Sequence, residues 1–600
     1  MNTGIGGQSE QFRHCAQRSR AENRDSLPPS APIARKRPAD MMCHVSKDYR
    51  RVMTLVKPDL VLDNANVLTV DEAMPRAASI AILGDRIVGV GDRYAFATTG
   101  ARTIDMDGRT VVPGFNDAHN HMGGYGAALN EVAIQPTVAR SVEEIVDAIA
   151  RRAAETPAGV WVIGTGYDDN KLAERRHPTR QELDRVSPDN PVLLNHTSGH
   201  FCVVNTAAMR LARVGEVAVP EGGVVALDEN GEPNGLLEEQ AQTLARGLLH
   251  PRAIADMVQN LGAASDKYLS EGITSCQEAG VGGILGTKEP LELAAYQQAR
   301  RDGRLRVRVT LMPSVETLHA TDHHVDDDEP FVLDLGLHSG FGDDWLKFGA
   351  VKIFADGSLI GRTAAMFDDF EGEPGNNGYF QMEETRLHGL IMKAHRSGWQ
   401  VAVHAIGDRA VASVLDGYTA AQQKYPRTNT RHRIEHCGMT RAVDVARIAQ
   451  LGVIPVPQAR FISEIGDGMA RAIGSRKPDC YRMRSFLDAG IVLPGSSDRP
   501  VVNGAPLLGI HDLVNQRTAD GEPFNPHEAL TAEQALHAYT LGSAYAAFDE
   551  NNKGSITTGK LADLTVLDRD ITTTDPAAID TTKVLATMVA GTFEYGTYDS

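Results

Sequence analysis

The stretch Pro113-Gly114-Phe115-Asn116-Asp117-Ala118-His119-Asn120-His121 joins an apolar, strand-like run to two histidines that are separated by one residue. In an extended strand, residues i and i+2 point to the same side, so both imidazoles can reach one metal ion. A single His-x-His pair is equally compatible with histidines that have no metal, because histidine has several common roles. The decision between these two interpretations therefore depends on the rest of the chain.

Seven further strand-like runs follow the run at 111–117, and helical patterns such as Thr385–His395 separate most of them. Alternating strands and helices predict a parallel sheet covered on both faces, and eight strands can close into a barrel. The sequence therefore predicts an α/β fold, a (β/α)8 TIM barrel. The predicted strands after the first are 272–279, 306–313, 349–356, 400–406, 431–436, 453–459 and 491–498.

The predicted barrel domain spans 111–554, and its 122–271 segment is too long for one crossover connection. We interpret that segment as an inserted cap region that ends in a helix near 252–268. The flanking segments 56–110 and 555–600 are rich in short strands and turns, and we expect a small antiparallel sheet over 59–91. Both chain ends together are predicted to form a β-sandwich side domain.

Residues 1–55 differ from the rest of the chain, since they contain several prolines, many Arg and Ser residues, and no periodic apolar pattern. We expect a disordered tail there, and Met53 offers an alternative start of the chain.

The composition excludes several classes of protein. The 600 residues are 42% hydrophobic and 23% charged, which argues against collagen-like, coiled-coil and wholly disordered chains. The net charge of −18 disfavours nucleic acids and anionic membranes as partners. Six cysteines without a Cys-x-x-Cys pair indicate a reducing compartment, and we expect a cytoplasmic protein. No apolar run approaches the length of a membrane span.

Further metal-binding residue types end three of the predicted strands, namely His404, His436 and Asp498. Active sites of (β/α)8 barrels lie at the carboxyl ends of the strands, so these residues are expected to converge with the His-x-His pair. Lys352 lies inside the otherwise apolar run 349–356, where a lysine is costly to bury without a partner. Either its amine extends to solvent, or it reacts with carbon dioxide to form an anionic carbamate that bridges two cations.

These residues lie in five motifs that together resemble the amidohydrolase superfamily, specifically the amidohydrolase 3 group of YtcJ-like metal-dependent hydrolases and N-substituted formamide deformylases. The resemblance covers about 59–597. The motifs are Pro-Gly-Phe leading into His-x-His, Val-Lys-Ile-Phe-Ala-Asp-Gly-Ser, Val-His-Ala-Ile-Gly-Asp, Arg-Ile-Glu-His and Gly-Ser-Ser-Asp-Arg-Pro.

The resemblance implies a (β/α)8 barrel with a β-sandwich, and it also implies the ligand set. One metal would be bound by His119 and His121, the other by His404 and His436, with carboxylated Lys352 bridging them and Asp498 on the first metal. Two zinc ions per chain are expected, although iron or manganese also suits these donors. Asn120 departs from the family, which usually has an apolar residue there, but its side chain is expected to point away from the metals.

The predicted reaction is hydrolysis of a non-peptide C–N bond, an amide, in a small molecule. A metal ion makes hydroxide available at neutral pH, and Asp498 would move its proton to the leaving nitrogen. Lys352 and His200 complete the predicted catalytic residues. A lactonase or phosphoester hydrolase on the same site, and a non-catalytic relative, remain as alternatives.

The substrate residues predicted are His200, Arg362, Gln458 and Arg460. In relatives a Gly-His pair lies near the pocket, so His200 either binds the substrate carbonyl or is a loop histidine. Arg362 either grips a substrate carboxylate or forms a surface ion pair. Gln458 and Arg460, at the end of the seventh strand, are expected to line the pocket. Relatives often dimerise, so a homodimer is expected.

Overall fold

The computed structural model describes residues 57–598, except 200, 221, 251, 284–288 and 290. The predicted disordered tail at 1–55 lies outside the described residues, and so does His200.

Short strands occur along the whole described chain. Those before the insertion are β1 Leu60–Asp63, β2 Asn66–Leu68, β3 Arg76–Ala77, β4 Ser79–Leu83, β5 Arg86–Gly91, β6 Arg102–Asp105, β7 Thr110–Pro113 and β8 Phe115–Asn120. Those of the insertion are β9 Val132–Ala133, β10 Val162–Tyr167, β11 Val192–His196, β12 Phe201–Val204, β13 Gly223–Leu227 and β14 Pro233–Glu239.

The remaining strands are β15 Ile273–Val281, β16 Arg308–Pro313, β17 His319–Ala320, β18 Phe331–Val332, β19 Leu346–Phe348, β20 Val351–Phe354, β21 Val401–Ala405, β22 Arg433–His436, β23 Ile454–Val456, β24 Leu564–Leu567, β25 Val584–Val589 and β26 Thr592–Tyr595. The α-helices are Met122–Asn130, Val142–Glu155, Arg180–Asp184, Thr206–Ala212, Thr243–Arg246, Ile254–Ser270, Glu292–Arg301, Glu384–Arg396, Asp408–Lys424, Ala442–Leu451, Arg460–Ile473, Met483–Asp488, Pro506–Asn515, Ala532–His537 and Ser543–Ala546.

Two four-stranded parallel sheets position the candidate site. One has the order β19-β16-β15-β8 and the other β20-β21-β22-β23. The helices Glu384–Arg396, Asp408–Lys424 and Ala442–Leu451 separate the strands of the second sheet. Their apolar residues Leu387, Val411 and Ile448 are buried in the same core as the strands, as expected for a parallel sheet covered by helices.

Backbone contacts connect the two parallel sheets. Ser314 pairs with Lys352 in a parallel bridge, and Gln458 pairs with Ser496 in the same way. Ser496 belongs to the 491–498 segment, and the same segment also contacts β8, because the Ala118 amide donates to Gly495 O at 2.9 Å. The 491–498 segment thus contacts both the strand that ends the second sheet and the strand that begins the first.

The two chain ends share one sheet and a core. One sheet, of order β5-β4-β1-β6, comes from the first segment alone, whereas the other, of order β26-β25-β24-β7-β2-β3, pairs three strands of the last segment with three of the first. Leu62 and Ile80 lie in one buried cluster with Val566 and Met588. The segments before and after the parallel sheets therefore fold together.

The strands over 59–91 pair with one another in antiparallel fashion, as predicted, but they do not form one sheet. They divide between two sheets, and each sheet also contains a parallel pair, β1 with β6 and β2 with β7. The change of sheet occurs between β1 and β2, where Asn64 adopts a positive φ of 56°. Asparagine tolerates this left-handed conformation, so the short connection can redirect the chain.

Three predicted barrel strands are less regular than expected. The run 111–117 divides at Gly114 into β7 and β8, which belong to different sheets. Gly114 is needed there because a Cβ would lie 2.2 Å from Thr274 Oγ1. The run 349–356 begins earlier and has a gap at Gly349 and Ala350 between β19 and β20. The run 491–498 is not a regular strand, since Pro494 has no amide hydrogen to donate to a ladder.

The 122–271 segment has its own six-stranded sheet, of order β13-β14-β12-β11-β10-β9. Its last helix, Ile254–Ser270, agrees with the prediction of a helix near 252–268. Within the described part of the chain, no helix is both long and apolar enough to cross a membrane.

Candidate metal centre

Six of the predicted residues converge where the parallel strands end. We call them the strand-end cluster: His119, His121, Lys352, His404, His436 and Asp498. Lys352, His404 and His436 lie on the adjacent strands β20, β21 and β22, and His119 lies on β8. Parallel strands have their carboxyl ends at one edge, which explains how residues so far apart in sequence meet.

His119, His121 and Asp498 form the tightest part of this cluster. Asp498 Oδ1 lies 3.4 Å from His119 Nε2 and 3.1 Å from His121 Nε2. One ligand atom of each residue lies within 4.8 Å of the others. Backbone hydrogen bonds fix this arrangement, because the Asp498 amide donates to His119 O at 2.7 Å and the His121 amide to Arg499 O at 2.8 Å.

Lys352 and the other two histidines lie beside this group. Lys352 Nζ is 3.4 Å from His119 Nε2, and the lysine is 1% exposed. The His436 ring centroid is 5.1 Å from that of His119 and 4.4 Å from that of His404. The structure therefore brings together all six residues that the sequence predicts as metal ligands.

Each of three histidines has one ring nitrogen bound to a protein acceptor. Nδ1 of His119 contacts Glu435, and Nδ1 of His436 lies 2.6 Å from Gln458 Oε1. For His404 it is Nε2, which lies 2.9 Å from Gly357 O. Such partners fix the ring and leave the other nitrogen to bind a metal. That nitrogen is Nε2 in His119 and His436 and Nδ1 in His404.

The sequence analysis missed the role of Glu435. Arg433 donates to both of its oxygens, at 2.7 and 2.9 Å, and both residues are buried. Residues i and i+2 of a strand share a face, so Arg433 and Glu435 in an otherwise apolar run indicate an inward-facing ion pair. The signal was present in the Arg-Ile-Glu-His motif.

The protonation states suit metal binding. Burial lowers the pKa of His436 to about 3, with help from the neighbouring His119 and Lys352. Burial likewise holds the pKa of His404 well below its usual range. Both imidazoles are therefore neutral near pH 7, which is the form that binds metals.

The two carboxylates and the lysine also have shifted pKa values. Burial opposes ionisation of both carboxylates. The pKa of Asp498 nevertheless lies below its usual range, because His119 and His121 contact it. The pKa of Glu435 is also lowered, because Arg433 and His119 lie beside it. Burial lowers the pKa of Lys352 to about 8, although Glu435 and Asp498 oppose the shift. Both carboxylates are therefore anionic, and part of the lysine is neutral near neutral pH.

Two buried aspartates hold the surrounding backbone. Asp117 contacts the Ser497 hydroxyl and accepts from the Ser497 amide at 3.0 Å, which joins β8 to the 491–498 segment. Asp356 accepts from the amides of Ile406, Gly407 and Ala365 at 2.8–3.0 Å. The sequence analysis did not single out either residue, although both lie in its quoted motifs.

His404, His436 and Asp498 line a cavity of about 100 Å³. Most of the other walls are apolar, including Leu359, Ile360, Phe461, Ile465, Met469 and Val501. Ser198, from the insertion, and Ser358 supply hydroxyl groups. Small-molecule sites commonly combine an apolar lining with a few polar groups, as this cavity does.

Three of the four predicted substrate residues, Arg362, Gln458 and Arg460, lie within the described part of the chain, and their surroundings differ. Gln458 is buried and orients His436, while its amide donates to Val456 O and Ser496 Oγ. Arg460 pairs with Asp512 at 2.7 Å and Glu464 at 2.6 Å. Arg362 pairs with Glu373 at 2.6 Å, near the surface. Neither arginine is among the residues that line the cavity, and substrate binding by all four residues stays a prediction.

The donor set fits a divalent transition metal. It offers imidazole nitrogens with fixed orientation and a carboxylate oxygen, which suit zinc, manganese or iron. Fold and site together thus describe a metal-dependent hydrolase.

Comparison with known proteins gives the family. A model of the amidohydrolase family matches residues 102–595. The chain is 30% identical to amidohydrolase YtcJ of Bacillus subtilis, covering 88% of this chain and 98% of YtcJ. It is 32% identical to N-substituted formamide deformylase of Arthrobacter pascens, and the match covers 90% of this chain and 98% of the deformylase. An uncharacterized metal-dependent hydrolase from Pyrococcus horikoshii has a similar structure, with a TM-score of 0.70, 26% identity, and coverage of 86% and 99%.

The chain belongs to the amidohydrolase family. The predicted resemblance is confirmed, and so is the prediction of an enzyme that acts on carbon–nitrogen bonds.

Proposed function

We propose that this protein hydrolyses an amide bond, other than a peptide bond, in a small molecule at a divalent metal centre. The main support is the strand-end cluster, in which four imidazoles and the Asp498 carboxylate meet at the wall of an apolar cavity. The similarity to an N-substituted formamide deformylase supports an amide as the substrate class.

Two metal ions, zinc by preference, would be held by this cluster. His119 and His121 would bind one, His404 and His436 the other, and Asp498 would contact the first. Lys352 would bridge both as a carbamate formed with carbon dioxide. Its environment supports this role, since it is buried and forms no salt bridge to a carboxylate among the described residues.

A metal bound here would polarise the scissile carbonyl and lower the pKa of a water ligand from about 16 towards about 7. Hydrolysis then adds hydroxide to the acyl carbon, and the nitrogen leaves with a proton. Asp498 lies beside both His119 and His121, and it also lines the cavity. We assign to it the transfer of the proton to the leaving nitrogen, which an amide requires because an amine anion leaves poorly.

The fold that supports this site would be a (β/α)8 barrel spanning 111–554, with 122–271 as an insertion. The backbone contacts of Ser314 with Lys352 and of Gln458 with Ser496 support closure of the two parallel sheets. Segments 56–110 and 555–600 would form the β-sandwich side domain, as their shared core supports.

The cavity's size and apolar lining favour a neutral small molecule as substrate, and the negative net charge disfavours nucleic acid and anionic membranes. We also propose a cytoplasmic homodimer. The four cysteines in the described residues are free and buried, which suits a reducing compartment.

Metal content and a substrate panel test the proposal. Protein purified without chelators and with bicarbonate should contain at least two metal equivalents per chain by plasma mass spectrometry, because the strand-end cluster would hold two ions. It should turn over N-substituted amides faster than lactones or phosphotriesters. A chain that binds no metal after addition of zinc or manganese would favour a non-catalytic protein, and preferred turnover of lactones or phosphotriesters would replace the amide assignment.

A further inference from the structure

A second group of metal-binding residue types lies in the insertion, apart from the strand-end cluster. We call Asp168, Asp169, His177 and His196 the insertion cluster. Asp168 and Asp169 directly follow β10, and His196 ends the neighbouring parallel strand β11. As in the strand-end cluster, these residues meet because parallel strands have their carboxyl ends at the same edge of a sheet, but here the strands belong to the sheet of the insertion.

The ligand atoms of this cluster converge on Asp169. His196 Nε2 lies 3.0 Å from Asp169 Oδ1, and His177 Nε2 lies 4.0 Å from Asp169 Oδ2. One ligand atom each from Asp168, Asp169 and His196 lies within 4.8 Å of the others. Two ligands bound to one tetrahedral zinc at about 2.0–2.1 Å are about 3.3–3.5 Å apart, close to these separations.

Both histidines are oriented from outside the cluster. Nδ1 of His177 lies 2.9 Å from the Tyr167 hydroxyl, and Nδ1 of His196 lies 2.8 Å from Ser198 Oγ. Each Nε2 is thereby directed to the Asp169 carboxylate. Metal-binding histidines commonly have this second hydrogen bond, which fixes the tautomer and the direction of the free nitrogen.

The surroundings restrict the rings further. The Phe201 ring packs against both histidines, with centroid distances of 5.4 and 5.3 Å. His177 and Asp169 keep about a quarter and a fifth of their side chains exposed, so an ion can enter from solvent. Burial lowers the pKa of His177, and the pKa of Asp169 is also lowered because His196 and His177 outweigh its burial.

We propose that the insertion cluster binds a divalent transition-metal ion, zinc by its donor set, at a site separate from the strand-end cluster. Asp169, His196 and His177 would be ligands, with Asp168 as a further carboxylate. The remaining separation of 4.0 Å between His177 Nε2 and Asp169 Oδ2 is too long for a hydrogen bond but can be bridged by a shared ion. The ion would join β10, the 168–177 loop and β11.

The test measures zinc and cobalt binding by the full-length chain with its strand-end cluster intact. Asp169→Asn and His177→Gln should each contain one zinc equivalent less than the unaltered protein by plasma mass spectrometry. Tyr167→Phe should weaken zinc binding at this site by about 10–100-fold, because it removes the partner of His177 Nδ1. Cobalt absorption bands that disappear in Asp169→Asn would report the same ligands spectroscopically.

His319→Gln is the matched control, because His319 pairs with Asp334 at 3.0 Å on the surface but belongs to neither candidate metal-binding group found among the described residues. It should keep the full metal content. Circular dichroism checks the fold of each variant, and the partly exposed His177 provides a variant that should fold even if Asp169→Asn does not. Unchanged zinc content and cobalt spectra in folded His177→Gln would overturn the proposal and leave a hydrogen-bonded His–Asp pair.

Discussion

The strand-end cluster and the insertion cluster use the same residue types, but they are assembled differently. The first collects residues from 119 to 498 at the ends of separate segments, whereas the second lies within 168–196, at the ends of two neighbouring strands and in the loop that follows the first of them. In the first, His119, Lys352 and His436 are almost fully buried. In the second, His177 and Asp169 reach solvent.

The difference in burial and assembly indicates a catalytic role for the strand-end cluster and a structural role for the insertion cluster. The strand-end cluster opens onto a cavity that can hold a substrate, and backbone hydrogen bonds already join its segments. Ligand loss there should therefore impair chemistry more than folding. The insertion cluster joins segments that are close in sequence, and His196 contacts Ser198 of the cavity wall at 2.8 Å. Ligand loss there should affect the metal content of the insertion more than turnover.

Asp498→Asn should have the largest effect on turnover. The amide keeps an oxygen near the histidines but cannot accept the proton, so kcat should fall by about 10²–10⁴-fold. Steady-state kinetics with the best amide substrate measure this loss, and metal analysis should show most of the metal retained. A variant with unaltered kcat would remove Asp498 from proton transfer.

Lys352→Ala should lose one metal, and its kcat should fall by about 10²–10³-fold. The reason is that a bound metal ion supplies several kcal/mol of charge stabilisation in the transition state. Short carboxylic acids should restore part of the activity by replacing the carbamate.

Lys347→Ala is the control for Lys352→Ala, because Lys347 lies on the neighbouring strand β19 but pairs with Asp549 at 2.6 Å. It should keep the full metal content. Full activity and an undiminished metal content in Lys352→Ala would exclude the bridging role.

Gln458→Leu should weaken metal binding or activity by about 10–100-fold, because His436 loses the acceptor that orients its ring. Gln400→Leu provides the comparison, since this buried glutamine donates only to the backbone oxygens of Arg431 and Ala546. Gln400→Leu should lower the melting temperature without changing zinc affinity. Equal zinc affinities in both variants would contradict the orienting role of Gln458.

Asp169→Asn should have the smallest effect on turnover, less than about tenfold or about 1.4 kcal/mol in kcat/KM. Paired with Asp498→Asn, it applies the same substitution to both clusters. We expect opposite results, with turnover lost and metal kept at Asp498, and metal lost and turnover largely kept at Asp169. A loss of turnover as large as that of Asp498→Asn would make the insertion cluster part of the catalytic site.

The sequence predicted the strand-end cluster well because its members follow a physical rule. Metal-binding residue types at the ends of apolar strands mark the active edge of a parallel sheet, and all six predicted ligands converge there. Arg460 and Arg362 were harder to predict, since an arginine near a strand end can reach either a substrate or a carboxylate. Local pattern does not reveal that Asp512 and Glu373 are within reach.

The sequence by itself determined the alternation of strands and helices, the family and the candidate ligand residues, because periodicity and motif spacing are local properties of the chain. Only the tertiary structure decided the orientation of His119 by Glu435, the division of the first strands between two sheets, and the approach of His177 to Asp169. These features depend on which segments pack together, and that is set by the shared burial of side chains distant in sequence.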